Sequence, residues 1–485
     1  MEILFILGAP LILAILAFVM KNKKAAGIIN AISYFAVLSC ALLLLKRCVL
    51  SECRVSFFGF IYLDALSAFF IFTASVVTFA AALYSIGYVN KDVKEGVISG
   101  RRAGIYYSLF NLFCFSMFLV PALNNLGMLW VAIEMTTLIS AFLVGFYNTK
   151  KSVEAAWKYI IICSVGIILA LLGTILFSYA FAVSGVAKSL NWTDIAQVAH
   201  ILDKNILKIA FIFILVGYGT KAGLAPMHTW LPDAHSQAVS PISALLSGVL
   251  LKMALYAILR FGFIIIKGVG FEYFGNLMLL LGVISLVISS GFVLVQKDLK
   301  RLLAYSSIEH VGIISIGFGL GAPLGFIGAL LHIFNHAVTK SLMFFTAADA
   351  ISVYKKHNIN AIRGVMKALP FAGVMMLLGV FALTGFPPFS IFISEILIII
   401  AAFLNGSYFV AGLLLICLGI VFGAFIYHFG KMLFGNLPKG IIPAGEQLSA
   451  KFAYLVLLFP ILALGIVLVF KQKDLIWIAQ KLFQG

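Results

Sequence analysis

The chain has 485 residues, of which 63% are hydrophobic and 11% charged, with a mean hydropathy of +1.14. A water-soluble domain of this composition would leave a large apolar surface in water, so a soluble catalytic domain is excluded and the bilayer is the expected solvent. The formal charge of +17 does not point to nucleic acid, because the basic residues sit in short clusters between apolar runs and no loop is long enough for a binding module.

A spanning helix takes about 20 apolar residues. In chain order the predicted spans are 3–20, 26–46, 64–88, 104–121, 124–146, 155–182, 207–236 (interrupted), 241–265, 272–295, 302–320, 323–350, 367–404 (interrupted), 407–432 and 451–470. The first apolar stretch precedes its positive cluster, Lys21–Lys24, so it reads as a retained span and not as a signal peptide. Between the second and third spans, 48–62 carries the β-formers Val55, Phe57, Phe58, Phe60 and Tyr62 and predicts a short hairpin. None of the six cysteines forms a CxxC pattern, so an iron–sulfur ligand set is not expected. Cys48 and Cys53 read as free thiols, with a local disulfide as the alternative. One set of alternate loops carries most of the Lys and Arg, including Lys21, Lys23, Lys24, Lys91, Lys94, Arg101, Arg102, Lys150, Lys151, Lys297, Lys300, Arg301, Lys355, Lys356 and Arg363. These loops should face the cytoplasm, with both termini outside; Lys471 and Lys473 fit that placement poorly.

Two spans are interrupted in a similar way. The first contains Gly217, Gly219, Gly223 and Pro226; the second contains Gly385, Pro387 and Pro388. Proline donates no hydrogen bond to a helix ladder, so each site frees backbone groups at membrane depth. Such groups are tolerated where they line a cavity or pack inside protein. Each break has the same place in a block of five spans, 104–265 and 272–434. An odd number of spans makes the second block start from the opposite side, so the repeats should be inverted. The expected architecture is an all-α polytopic membrane protein of about fourteen spans, with N-terminal helices over 1–103 and a C-terminal helix and tail over 450–485.

Charges inside spans cost roughly 2.5–3.5 kcal/mol each on insertion scales. Glu134, Lys221, Lys252, Glu309, His310 and Glu395 all stand within predicted spans, and His332, His336 and Lys340 recur every fourth residue on one helix face. Static ion pairs gluing helices would explain one such charge. The whole set reads as a titratable axis in which burial lowers a lysine's proton affinity and a nearby carboxylate restores it, with histidine as relay. His332 and His336 have a zinc-ligand spacing, but no third ligand of the usual kind is near in sequence and Lys340 would repel a cation, so no metal is expected. His228, Asp233 and His235 are candidates for the cytoplasmic inlet or for coupling, against the alternative of a solvated loop. Asp349, at the end of its span, is expected at the membrane interface. Gly317-Phe-Gly-Leu-Gly321 reads as a helix-terminal turn rather than a dinucleotide fingerprint, and no Walker sequence is present.

At these residues the chain resembles a known superfamily. The run His228-Thr-Trp-Leu-Pro-Asp-Ala-His-Ser-Gln-Ala-Val-Ser-Pro241 is similar to the signature of the antiporter-like membrane subunits of respiratory complex I. Lys297-Asp-Leu-Lys-Arg-Leu-Leu-Ala-Tyr-Ser-Ser and His332-Ile-Phe-Asn-His-Ala-Val-Thr-Lys match it too. That superfamily includes multisubunit cation/proton antiporters and membrane-bound hydrogenases, and the likeness covers most of 64–434. Pro387-Pro388 in place of a Pro-Gly pair, Glu309 before His310, and Glu395 in place of Lys resemble the component F branch of hydrogenase-4, or formate hydrogenlyase. The resemblance implies fourteen helices and one proton path, with Glu134 and Lys221 as coupling pair, Lys252 as central relay and Glu395 as outlet-side acceptor. It implies a non-catalytic pumping subunit of an oxidoreductase complex, either NADH:quinone oxidoreductase-like or a membrane-bound hydrogenase, in the inner (plasma) membrane. No cofactor is expected in this chain; nickel–iron and iron–sulfur centres or flavin would belong to partner subunits. The implied partners are other membrane subunits, related antiporter-like ones among them, a peripheral redox arm and lipids. The short tail implies that no long lateral helix follows. A subunit of a Na⁺/H⁺ antiporter is the alternative, and an inert scaffold is disfavoured by the buried charges.

Overall fold

Polar residues stand where the helices begin, and apolar runs fill the turns after them. A computed structural model describes residues 2–470 apart from 51–54, 58, 186–188, 322 and 444. Cys53, Phe58 and the tail with Lys471 and Lys473 thus lie outside the described residues. Helices α1 (Glu2–Val19) and α2 (Lys23–Leu50) lead to an antiparallel hairpin, β1 (Val55–Phe57) with β2 (Ile61–Leu63), in the register Ser56↔Tyr62. Then come α3 (Ala65–Lys94), α4 (Gly100–Leu119), α5 (Leu126–Val144), α6 (Lys150–Val183), the short α7 (Trp192–Gln197), α8 (Lys204–Ala222) and α9 (Trp230–Gln237). Helix α10 (Ser240–Leu245) continues through a π-helical turn, Leu246–Leu250, into α11 (Leu251–Gly268). The remainder is α12 (Phe271–Val295), α13 (Leu299–Leu320), α14 (Leu324–Tyr354), the short α15 (Val365–Ala368), α16 (Pro370–Leu383), α17 (Ser390–Leu404), α18 (Tyr408–Leu433) and α19 (Leu448–Phe470). Side-chain oxygens of Asp64, Ser99, Asn125, Thr149, Asp203 and Asp298 accept the first free amides of α3, α4, α5, α6, α8 and α13.

Among the described residues, twelve helices are long and apolar enough to cross a membrane. Helix α14 and the pair α16/α17 complete the expected set of fourteen spans. Alternate loops gather at two ends, as a spanning bundle requires. Bridges join Ile61 to Leu123 and Asn125 to Asn191 at one end, while Asp298 bridges to Asn358 and Lys355 pairs with Glu95 at 2.7 Å at the other. The second end carries the Lys- and Arg-rich loops and is called the basic end below. Helix α4 starts from the basic end and α12 from the opposite one, so the two five-span blocks run in opposed directions.

Burial separates an axis from a rim. The most apolar stretch of α13 is 100% buried and that of the α10–α11 span 89%, against 33% for α1, α2 and α18. Rim helices turn side chains such as Ile12, Phe18, Ile416 and Phe459 outward, as hydrocarbon solvent permits.

Both breaks exist, with one difference. Helix α8 runs through Gly217 and Gly219 and ends only at Gly223, whose φ of +80° forms the left-handed cap. Gly217 serves packing instead: a Cβ there would lie 2.5 Å from the Ala170 amide nitrogen and 2.6 Å from the Gly166 carbonyl oxygen of α6. The freed groups find partners inside the chain. Trp230 Nε1 donates to Thr220 O at 2.8 Å, and the Ala225 amide donates to Ser285 Oγ at 2.9 Å. At the second break Gly385 takes φ +64° and the Phe386 amide donates to Phe381 O at 3.0 Å. Pro226, Pro387 and Pro388 reach the chain's surface, and proline brings no N–H that would need a partner there. Replacing Gly217 with Leu should overpack α6 against α8 and destabilise the bundle by about 1–3 kcal/mol, read as an earlier loss of monodisperse protein on heating in detergent. Unchanged thermal stability would show that the contact is slack.

Candidate functional site

Lys221 occupies the last turn of α8, beside the first break, and is 1% exposed. Its Nζ donates to Thr137 Oγ1 of α5 at 2.7 Å and to the Tyr159 hydroxyl of α6 at 2.6 Å, 4.8 Å from the centre of that ring. The Tyr159 hydroxyl also meets Ser140 Oγ at 2.7 Å. Glu134 stands one turn before Thr137; its Oε1 accepts from Ser164 Oγ at 3.4 Å and its Oε2 is buried without a hydrogen-bond partner. Among the described residues Glu134 and Lys221 make no ion pair within 4.0 Å. Lys221 is held by hydroxyls instead.

The second cluster forms where α11, α13, α14 and α17 meet. Lys252, 1% exposed, donates to the Ser247 carbonyl at 2.5 Å and to His336 Nδ1 of α14 at 2.5 Å. The Ser247 carbonyl is five residues back, in the π-helical turn that re-aims it. The His310 ring on α13 lies 4.7 Å from that of His336, and its Nδ1 is 2.9 Å from His332 Nε2. His332 Nδ1 is 2.9 Å from Ser394 Oγ, the neighbour of Glu395 in α17. The hydroxyl proton of Ser394 goes to the Ile391 carbonyl at 2.7 Å. Nδ1 of His332 is therefore the donor to Ser394, and its Nε2 is the acceptor facing His310. Lys340 donates to Leu303 O at 2.7 Å and to Ser306 Oγ. Glu309 Oε2, His336 Nε2 and Glu395 Oε1 are buried without partners. The His332, His336 and Lys340 ladder thus shares one helix but diverges to three neighbours.

The inlet candidates separate. Asp233 stays at the basic-end surface, 3.5 Å from Lys158 and 3.4 Å from Arg301. His235 is fully buried, stacked on Phe344 at 5.0 Å, with both ring nitrogens unpartnered. His228 is buried against Tyr305, its Nδ1 unpartnered. A cavity of about 1160 Å³ at the basic end is lined by Ser236, Gln237, Lys300, Asp349, Lys355 and Glu446, and Lys300 Nζ donates to Ala238 O at 2.9 Å. Asp349 accepts from the hydroxyls of Tyr84 at 2.7 Å and Tyr454 at 2.5 Å. At the mouth the Lys355 ammonium holds the Glu95 carboxyl below its ordinary value. Burial, then the Lys300 charge, lowers that of His357, so its 3.8 Å approach to Asp298 is that of a neutral imidazole.

Residues 123–422 match the family described as NADH:quinone oxidoreductase/Mrp antiporter, transmembrane. The chain belongs to this family. It is 38% identical over 404 residues to the hydrogenase-4 component F homolog of Methylacidiphilum infernorum, covering 83% of this chain and 84% of that one. It is 29% identical over 389 residues to a Na⁺/H⁺ antiporter subunit of Alkalihalophilus pseudofirmus, covering 78% and 75%. In fold it resembles a chain of the membrane-bound sulfane sulfur reductase, an archaeal respiratory membrane complex. There the TM-score is 0.89 at 24% identity, over 99% of this chain and 97% of that one. The chain is thus an antiporter-like, multi-pass membrane subunit.

Sequence reasoning missed one buried ion pair in this family member. Arg260, 1% exposed, meets Asp64 at 2.5 Å, donates to the Tyr256 hydroxyl at 2.8 Å and to Ser67 Oγ at 3.0 Å, and lies 4.2 Å over Trp192. A signal was present: Arg260 stands two turns after Lys252 inside an apolar run. Asp64 doubles as the cap of α3. Asp64→Ala should cost about 3–5 kcal/mol by stranding a buried guanidinium, whereas Glu95→Ala at the exposed Lys355 pair should cost under about 1 kcal/mol. Thermal denaturation of the two purified variants measures the contrast, and equal losses would remove Asp64–Arg260 from the list of structural locks.

Proposed function

We propose that the chain is a proton-translocating subunit of a redox-driven membrane complex of hydrogenase type. It sits in the plasma membrane with the basic end in the cytoplasm. One observation carries this reading: Lys221, Lys252 and Lys340 are all within 1% of complete burial, and no carboxylate lies within 4.0 Å of any of them among the described residues. Hydroxyls, carbonyls and one imidazole hold them instead. Lysines serving as static glue would be paired, as Arg260 is with Asp64. An unpaired buried ammonium is costly, so its proton is held conditionally. Movement of Glu134 toward Lys221 favours the charged lysine; withdrawal favours release. Beyond Lys252, His336, His310, His332 and Ser394 offer successive donors and acceptors as far as Glu395.

Electron transfer would lie in partner subunits, with nickel–iron, iron–sulfur or flavin centres in a peripheral arm, and related membrane subunits would flank this chain. The 38% identity to a hydrogenase-4 component F homolog supports that choice. A Na⁺/H⁺ antiporter subunit is the second reading, favoured by the 29% identity to the antiporter relative. Na⁺ needs hard oxygen ligands, and the three lysine side chains supply none. Driving one charge against 100 mV costs about 2.3 kcal/mol. Lys221→Ala, and separately Lys252→Ala, should abolish acidification of inverted membrane vesicles by the assembled complex, with subunit content unchanged on native gels. Full proton translocation by either assembled variant overturns the reading.

A further inference from the structure

His310, His332 and Glu395 reach one point from three helices, α13, α14 and α17. One nitrogen from each imidazole and one carboxylate oxygen lie within 4.8 Å of one another, and all three residues are buried. The spacing of His332 and His336 suggests those two as partners, but the fold brings His332 to His310 instead. Two imidazoles and a carboxylate are a donor set that zinc-class ions accept, leaving a fourth position open. Ligand atoms about 2.0–2.2 Å from such an ion stand roughly 3.4 Å apart in a tetrahedron. The facing nitrogens, at 2.9 Å, need open only slightly, while the carboxylate closes in.

Three further features fit a ligand. Glu395 Oε1 has no hydrogen-bond partner although the residue is only 6% exposed. Ser394 accepts from His332 Nδ1 and so leaves Nε2 free to bind, the outer contact that orients a ligating imidazole. Gly385 lacks the Cβ that would collide with the Glu395 carboxylate, so the second break leaves that group room to swing. Lys252 hydrogen-bonds to His336 and not to any of the three; its charge and that of Lys340 oppose a cation at His310, and the two imidazoles with the carboxylate have to outweigh them.

We propose that His310, His332 and Glu395 form a binding site for a divalent zinc-class metal ion. Binding displaces the hydrogen between the two imidazoles: His310 changes tautomer, its hydrogen passing from Nδ1 to Nε2 by way of solvent, and the ion takes the vacated place with no change of oxidation state. Because that hydrogen bond is a step of the path proposed above, an occupied site blocks the path; this consequence alone rests on that reading.

The purified full chain in detergent, titrated with Co²⁺, tests the site without turnover. One Co²⁺ per chain with the intense visible absorption of tetrahedral coordination, displaced by Zn²⁺, is expected. His332→Gln and Glu395→Gln should abolish the band. Ser394→Ala, which keeps all three ligands, should weaken binding about tenfold, and His357→Gln, outside the membrane, should leave it intact. No band, or a band unchanged in monodisperse His332→Gln and Glu395→Gln, overturns the site and leaves the pump reading untouched. Added Zn²⁺ should then stop proton translocation in vesicles of the assembled complex. Translocation at full rate with Zn²⁺ bound overturns the blocking role and leaves the site standing.

Discussion

Hydrocarbon offers no partner to a polar group, so each amide, carbonyl and charge at membrane depth must be satisfied by the chain itself. That constraint explains the continuous helices, and it also explains how the interruptions are built. At the first break, carbonyl and amide groups are taken up by Trp230 and Ser285. At the second, Asn335 Nδ2 donates to Ser390 O at 2.8 Å from the neighbouring α14. Prolines take several of the surface positions at both breaks, with Phe386 exposed beside the second pair. The chain places its irregular backbone only where a neighbouring side chain stands ready to meet it.

The same constraint sorts the buried charges into two kinds. Arg260 and Asp64 neutralise each other and are tied by further hydrogen bonds to α3, α11 and the turn before α5, through Ser67, Tyr256 and the Pro121 carbonyl. Asp64 Oδ2 has no hydrogen-bond partner, but the guanidinium at 2.5 Å neutralises the carboxylate. Lys221, Lys252 and Lys340 have only neutral partners, and Glu134, Glu309 and Glu395 each leave a carboxylate oxygen unpartnered. A protein that only needed to hold its helices together would have brought these acids and bases into contact. Keeping them apart, among hydroxyls and imidazoles, preserves the possibility of charge on either side.

The spans and the neighbourhood of both breaks were legible from hydropathy and proline alone, because length and composition decide them. Most of the buried ionisable residues were legible too, since a charge in an apolar run stands out, although Arg260 was passed over. Partnership was not. Spacing places His332, His336 and Lys340 on one face, yet α14 is buried on nearly every side: all three rungs touch α13, while His336 also reaches α11 and His332 also reaches α17. Glu134 and Lys221 are named as a coupling pair, but the hydrogen bonds of Lys221 go to Thr137 and Tyr159, and no spacing rule shows a residue from a third helix. Gly217 was read as part of a break because glycine's flexibility and its small size leave the same mark in a sequence. Asp64 was passed over because a helix cap and an ion-pair partner look alike until Arg260 arrives from nearly two hundred residues away.

Charge sign follows helix polarity at the two breaks. Lys221 lies in the last turn of α8, where the helix dipole favours a cation. Glu395 belongs to α17, and helical side chains lean toward the N-terminus. Its carboxylate accordingly comes back against Gly385, toward the end of the half-helix that favours an anion. The two groups thus sit on opposite halves of their broken spans, a cation at the end of one half-helix and an anion turned toward the start of the other. Such dipoles supply up to about 2 kcal/mol in partly buried sites, against roughly 2.5–3.5 kcal/mol for placing the charge there. The offset is incomplete. The remaining cost falls on the neighbouring acids, hydroxyls and imidazoles, so the form each group takes depends on where they stand.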